Sequence, residues 1–251
     1  MTISILTVCF QSAATLEMTI QSVLNQDYPH IEYIVVDGAS KDGTVDILKK
    51  YADRIRYISE PDKGIYDAMN KGLALATGDI IGVIGADDFY PSRDVLSTVA
   101  QTFEQNEIDA VFGDVQFVNP ENIQTVVRYW KESDYQRDKW LQGWMPPHTT
   151  FYLKKSVYDQ YGPYRTDFTC SADYELMLRI LFKNHVSAKY IPKVLMTMRN
   201  GGTSTASWKH RWVANQEDRK AWKINQLRPR WYTLWWKPLS KIKQLFQYSG
   251  E

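Results

Sequence analysis

The chain has 251 residues, 44% of them apolar and 14% aromatic with nine Trp, and a net charge of only +1. That is enough to bury one sizeable core, while near-neutral charge gives no footing for a nucleic-acid partner. Two cysteines, Cys9 and Cys170, with no CxxC or Cys/His cluster, argue against a disulfide framework or a zinc site and fit a reducing, cytoplasmic compartment.

The N-terminal apolar run, Ile3 to Phe10, is too short for a spanning helix and lacks the basic lead of a signal peptide. It reads as a buried strand. Leu16, Ile20, Val23 and Leu24 then form a helical stripe that Tyr28-Pro29 ends. Ile31–Val36 is a second β-branched run ending at Asp37. Asp42-Gly43 reads as a turn, with Thr44 as N-cap of a helix through Tyr51. Ile55–Ile58 is a third strand, Ile65 to Ala76 a helix closed by Gly78, and Ile80–Ile84 a fourth strand. After Asp88 comes a helix with Val95, Val99 and Phe103 on one face. Strands alternating with helices predict βαβ units and a mainly parallel α/β sheet. In such sheets ligands bind beyond the carboxyl ends of the strands, where Asp37 and Asp87-Asp88 both fall.

After Phe112 the pattern changes. Val115–Val118 and Gln124–Trp130 predict paired short strands, followed by a loop with Trp140, Trp144 and Pro146-Pro147 and a strand at Thr149–Leu153. Tyr174, Met177, Leu178 and Leu181 form a helical stripe beginning at Asp173. Ala188–Ile191 and Val194–Arg199 read as extended, and the tail from Trp208 as helical with a break at Pro229. The expected organisation is a body over 1–207 and a C-terminal helical appendage over 208–251.

Adjacent carboxylates at a strand end repel unless a cation sits beside them, so Ala86-Asp87-Asp88 suits a hard divalent ion shared with substrate phosphates. The same turn would serve equally as a solvated cap of the next helix. Asp37 is placed to accept hydrogen bonds from a base or ribose. Lys63 precedes a helix whose N-terminus favours anions, and Asp67 and Asn70 share one face of that helix. Asp173 opens its helix either as a capping anion or as a general base toward an acceptor hydroxyl. His148 is a polar site candidate or a structural residue. Arg199 to Ser204 forms either a diphosphate-wrapping loop or a plain turn.

Thr7-Val8-Cys9-Phe10-Gln11, Ser22-Val23-Leu24-Asn25-Gln26 and Val35-Val36-Asp37-Gly38-Ala39-Ser40-Lys41-Asp42-Gly43-Thr44 resemble family 2 glycosyltransferases of the GT-A fold. Lys63 to Gly72, Gly85-Ala86-Asp87-Asp88, Pro147 to Phe151 and Ser171 to Leu176 continue the likeness, which spans about residues 1–205. It is nearest to small bacterial enzymes building capsule, exopolysaccharide and O-antigen units. The resemblance implies a Rossmann-like nucleotide-binding sheet and an inverting transfer from a nucleotide-diphosphate sugar, usually a UDP-sugar, with Mn²⁺ or Mg²⁺. By that match Asp37 would hold uracil or ribose, helped by backbone near Thr7 and by Asp67. Asp87 and Asp88 would take the metal-binding position, Asp87 favoured for the ion, with Gly85 where the family often has a third acid. Asp173 would be the base, and Arg199 to Ser204 a loop near the diphosphate. Gln216-Glu217-Asp218-Arg219 faintly resembles the QxxR motif of processive synthases.

Charge divides unevenly. Trp208 to Glu251 holds ten Lys/Arg against three acids, a local +7 that leaves −6 on the first 207 residues. With Trp231, Leu234, Trp235, Leu239, Ile242, Leu245 and Phe246 on a broken helical spacing, this tail suits an anionic membrane surface. It would suit a second subunit equally. A polyprenyl-diphosphate-linked glycan acceptor and a peripheral position on the inner face of the plasma membrane are the corresponding expectations. The rivals are a non-catalytic nucleotide-sugar or glycan-binding module, with Trp140 and Trp144 suited to sugar stacking whether the chain is enzyme or binder, and a sugar nucleotidyltransferase. The latter normally has a Gly-rich basic loop after the first strand, where this chain reads Gln11-Ser12-Ala13-Ala14.

Overall fold

The computed structural model describes residues 1–201 and 208–234. Its centre is an eight-stranded sheet ordered β3-β2-β1-β4-β7-β5-β6, with β8 paired to β5 off that path. The first half alternates as its periodicity predicts. In chain order it runs β1 (Ile3–Cys9), α1 (Leu16–Leu24), β2 (Ile31–Asp37), α2 (Thr44–Lys50), β3 (Arg56–Ser59), α3 (Ile65–Leu75), β4 (Ile80–Gly85) and α4 (Val95–Glu104). β1 pairs in parallel with both β2 and β4, and β2 with β3. Cys9, Asp37 and Ser59 therefore leave the sheet side by side at one edge, with Gly85 beside them on β4.

The second half is mixed. β5 (Ala110–Val118) runs antiparallel to β6 (Val126–Trp130) and β7 (Tyr152–Lys154) but parallel to β8 (Ala188–Arg199). The two extended runs expected at 188–191 and 194–199 are thus one strand. Its register slips where Gly113, Asp114 and Val115 face it, so that the chain passes Pro192 without breaking. The predicted strand at 149–153 starts later, because His148–Thr150 forms a 3-10 turn whose Thr150 hydroxyl bonds Gly113 O at 3.0 Å. A short helix, α5 (Lys155–Tyr161), follows β7 and carries no long periodic stripe that would announce it.

α6 (Ala172–Met177) passes directly into a π-helical turn, Leu178–Lys183, and α7 (Trp208–Ile224) closes the described part. Two apolar cores flank the sheet. One gathers Ile3, Ile5, Leu16, Ile20 and Val99 on the α1/α4 side. The other gathers Leu6, Tyr66, Phe112, Tyr174 and Leu178 on the α3/α6 side, together with Ala221 and Trp222 of α7. The helix after residue 207 therefore shares the core of the body, and Trp222 Nε1 donates to Tyr174 Oη at 2.8 Å inside it.

Candidate functional site

β4 ends at Gly85, and the turn after it is held from two sides. Thr19 of α1 donates its hydroxyl to Ala86 O at 3.0 Å and Asp88 O at 2.7 Å. Phe89 and Thr197 of β8 exchange both backbone bonds. α4 begins only at Val95, and the side chain that takes a free N–H of its first turn is Gln26, whose Oε1 accepts from Leu96 N at 3.0 Å, so neither Asp87 nor Asp88 is spent on that helix. Asp87 is exposed and Asp88 is 2% exposed. A Cβ on Gly85 would lie 2.8 Å from Asp88 Oδ2 and 3.1 Å from Asp87 Oδ1. Both carboxylates thus converge on the space that the absent side chain leaves.

Burial, then the neighbouring Asp87 charge, push Asp88 up to about 8; Arg199 and the Gly85 backbone act in the opposite direction. Arg199 donates to Asp87 O and lies over the Phe89 ring at 5.4 Å. This places the guanidinium against the turn. Gly202, Thr203 and Ser204 of the expected diphosphate loop lie outside the described residues. Two carboxylates, a vacant Cβ position and a nearby guanidinium fit a hard divalent ion that completes its shell with phosphate oxygens. Among the described residues no group of three or more His, Cys, Asp or Glu assembles.

At the end of β2 the outcome is different. Asp37 is fully buried, and its carboxylate accepts from Ser40 N at 2.9 Å, Ser40 Oγ at 2.5 Å and Ser59 Oγ at 2.7 Å. These bonds bend the 38–40 loop so tightly that Ala39 adopts φ +62°. Asp37 therefore shapes the loop from beneath rather than presenting a free carboxylate. Thr7 lies two residues inside β1, fully buried, with its hydroxyl shared with Tyr33 at 3.0 Å, so its side chain is not on the edge. What reaches the edge there is Phe10, 61% exposed, with a ring carbon 3.2 Å from where a Gly38 Cβ would stand. Asp62 Oδ2 approaches the same point to 2.6 Å. Only glycine at 38 leaves room between ring and carboxylate. Sequence reasoning passed over Phe10 because one exposed aromatic ends its strand without any repeat.

The α3 candidates divide in the same way. Lys63 is exposed, and its N–H closes onto Asp67 Oδ2 at 3.1 Å, so Asp67 trims the start of α3. Asn70 is engaged elsewhere in the fold. Its amide donates to Tyr164 O at 2.8 Å and accepts from Tyr164 N at 3.0 Å, clamping a distant loop backbone. Thr44, expected as the N-cap of α2, is that helix's first residue, and Asp42 Oδ1 accepts its N–H at 3.1 Å.

That clamp serves the third group. Tyr164 Oη meets His148 Nε2 at 2.8 Å, and its ring stacks on Tyr66 with centroids 6.0 Å apart. Tyr66 Oη in turn donates to Asp173 Oδ1 at 3.2 Å. Ser171 does not cap α6 with its side chain, and Asp173, in the first turn and half-buried, is turned toward Tyr66. Burial lowers His148 below its ordinary value, against the pull of the Asp173 charge. Trp140, expected as a sugar-stacking residue, is fully buried against Tyr174 and belongs to the core. Trp144 is half-buried and, with Trp130, donates its indole N–H to Glu132 at 2.6 and 2.5 Å. Burial pushes that carboxyl up to about 7.

The family pattern of "Glycosyl transferase family 2" matches residues 4–164, which hold the sheet edge and the Asp87-Asp88 turn just described. The chain belongs to glycosyl transferase family 2. A PGL/p-HBAD biosynthesis glycosyltransferase of Mycobacterium bovis is 28% identical over 195 residues, 76% of this chain and 73% of that one. An uncharacterized glycosyltransferase of Mycobacterium tuberculosis is 33% identical over 181 residues, covering 71% of this chain and 68% of its own. Among solved structures, S. aureus TarS 1-349 in complex with UDP-GlcNAc superposes with a TM-score of 0.71 at 16% identity, over 99% of this chain and 74% of that one. The mannosyltransferase PcManGT from Pyrobaculum calidifontis, in complex with GDP-Man and Mn²⁺, gives 0.67 at 18% identity, over 99% and 76%. These two share the fold, and the family 2 enzyme described here is a glycosyltransferase built on the GT-A sheet.

Proposed function

We propose that this family 2 enzyme moves a sugar from a nucleotide-diphosphate sugar, of the UDP class, to a glycan hydroxyl with inversion at the anomeric carbon. The observation that carries the reading is the convergence of Asp87 and Asp88 over Gly85 at the sheet edge on which Phe10 also opens. Phe10 offers a face for the base, and Asp62, drawn close over Gly38, offers a carboxylate for its ribose. Lys63 and Arg199 face the negative charge of the diphosphate. Asp87 and Asp88 would hold Mn²⁺ or Mg²⁺, an ion that supplies positive charge opposite the leaving diphosphate. Asp173 takes the proton of the acceptor hydroxyl as that oxygen attacks the anomeric carbon from the face opposite the leaving group. One displacement of this kind inverts configuration and needs no covalent nucleophile on the enzyme. Tyr66, Tyr164 and His148 wall the base on its acceptor side.

The test is a panel of UDP-sugars with Mn²⁺ or Mg²⁺ and glycan acceptors, with product anomers read by NMR. Expected are release of UDP, an inverted product, and thermal stabilisation by UDP plus ion. A binding module would be stabilised but would not turn over, and a nucleotidyltransferase would release pyrophosphate. Absence of stabilisation by UDP with either ion overturns the reading.

A lipid-diphosphate-linked acceptor is the form of substrate that suits the C-terminal region. Among the described residues no helix is long and apolar enough to cross a membrane. Between the end of α7 and the segment that follows it, however, a groove of about 400 Å³ is lined by Arg219, Lys223, Arg230 and Trp231, with Trp222 and Leu234 at its floor. Trp231 is 87% exposed, and none of the three cations forms an ion pair among the described residues. Unneutralised cations beside an exposed indole are the composition of an interfacial surface. The apolar positions Trp235 to Phe246 lie outside the described residues. Co-sedimentation should show binding to vesicles containing about 30% phosphatidylglycerol and weak binding to phosphatidylcholine alone, as expected at about 1 kcal/mol per basic residue. Equal binding to both, or none to either, counts against this acceptor.

A further inference from the structure

From Ala214 onward, α7 and the residue after it are bound to the segment before and through α6. Ser171 Oγ donates to Ala214 O at 3.4 Å, and Lys220 pairs with Asp167 at 2.8 Å. Trp222 reaches Tyr174, and Asn225 Nδ2 donates to Glu175 Oε1 at 2.9 Å. Glu217 sits at the centre of this row and differs in kind from its neighbours. Its carboxylate is buried and accepts three consecutive backbone N–H groups, from Thr169 at 2.7 Å and from Cys170 and Ser171 at 2.9 Å each. The Cys170 thiol adds a fourth contact at 3.5 Å. Burial alone would raise this carboxyl, but the bonds from Cys170 and Thr169 outweigh it and hold it below its ordinary value.

Three successive amides pointing at one anion is a compact nest that a neutral side chain cannot fill equally well. The chain emerges from the nest at Ser171, and two residues later places Asp173 against Tyr66 Oη. Ser171 also precedes α6 without capping it by its side chain. The path of residues 169–171, and hence the direction in which the Asp173 carboxylate leaves the helix, is therefore set by a residue of α7.

We propose that Glu217 is a positioning residue for sugar transfer, holding the 169–171 loop so that Asp173 meets the acceptor hydroxyl. This rests on Asp173 being the base of the reaction proposed above. Nothing in it requires Glu217 to touch substrate. The C-terminal helix then acts on the chemical step through Asp173 alone, and donor binding is independent of it.

The experiment is a kinetic cycle on the full chain with Glu217→Gln, Asp173→Asn and the double variant. Displacing a catalytic group by about 1 Å costs on the order of 100-fold, so Glu217→Gln is expected to lower kcat for transfer by about 30-fold. KM for the UDP-sugar and UDP affinity should stay within about twofold, because no donor group is touched. Amide exchange at Thr169, Cys170 and Ser171 should quicken selectively. In the Asp173→Asn background the Glu217→Gln effect should vanish, since the loop then has no base to aim. Should Glu217→Gln fail to fold, Glu217→Asp keeps the charge with a shorter reach and is expected to lose about 5-fold in kcat by a smaller displacement of the same kind. Wild-type kcat in a folded Glu217 variant overturns the proposal, as does an undiminished effect in the Asp173→Asn background. Full transfer by Asp173→Asn alone would instead remove the base assignment itself, so the two failures are told apart.

Discussion

Asp173→Asn is expected to reduce sugar transfer by about three orders of magnitude while leaving UDP affinity unchanged. A positioned general base contributes roughly 10²- to 10⁴-fold, so the middle of that range corresponds to about 4 kcal/mol of lost transition-state stabilisation. Asparagine keeps the size of the side chain and can still accept the Tyr66 hydroxyl, which Asp173 receives at 3.2 Å. Fold and wall should therefore persist while proton-accepting ability goes. The nucleotide end of the site gives the internal control. Phe10, Gly38 and Asp62 cluster at the ends of β1 and β2 and before α3. Asp173 belongs instead to the Tyr66–Tyr164–His148 wall. A loss confined to kcat, with donor KM and UDP binding steady, marks an interaction made in the transition state. Steady-state kinetics with isothermal titration of UDP measure both. If transfer by Asp173→Asn stays within a few-fold of wild type, the base lies elsewhere.

The parallel half of the fold was legible because its apolar runs are local and periodic. Ile3–Cys9, Ile31–Asp37 and Ile80–Gly85 are β-branched stretches closed by helical stripes, and the structure places each within a residue or two of its expected bounds. The antiparallel half was less so. β7 keeps only three residues, and α5 starts on the residue after it, so neither has a window long enough to show a period. At the site, strand ends pointed to Asp87-Asp88, since a carboxylate pair at a sheet edge is a local signal. Asp37 shares that placement, yet its side chain is turned inward onto Ser40 and Ser59. Position on a strand does not reveal which partner a carboxylate chooses. Strand parity likewise sends the Thr7 side chain inward to Tyr33. Asn70 and Glu217 act on loops 94 and 46–48 residues away in the chain, and no spacing rule carries that information.

Asp88→Asn should stabilise the metal-free protein, and by more at pH 8 than at pH 5. Asp88 is held up to about 8 in the fold, by burial and then by Asp87, against an ordinary 3.8. Between those two values the unfolded chain has released the proton that the folded chain retains. Stability that is complete below about pH 4 is therefore lost as pH rises toward 8, at about 1.4 kcal/mol per pH unit, and levels off above. Asparagine does not titrate, so the variant escapes the slope. The gap between the two proteins should widen by about 4 kcal/mol from pH 5 to pH 8, or about 10 °C in Tm for a chain of this size. Asp88 is 2% exposed, so solvent does little to screen the cost of its charge. A cation between the carboxylates reverses the balance, because the ionised form then gains a partner. With Mn²⁺ and UDP, wild type should recover stability at pH 8 while Asp88→Asn does not, and transfer by the variant should fall by about 100-fold or more, the scale of losing a charge that stabilises the transition state. Calorimetry over that pH range, with EDTA and with Mn²⁺, reads both halves. Parallel pH slopes for the two proteins, or equal stabilisation by the ion, would show that the pair over Gly85 is not where the cation binds.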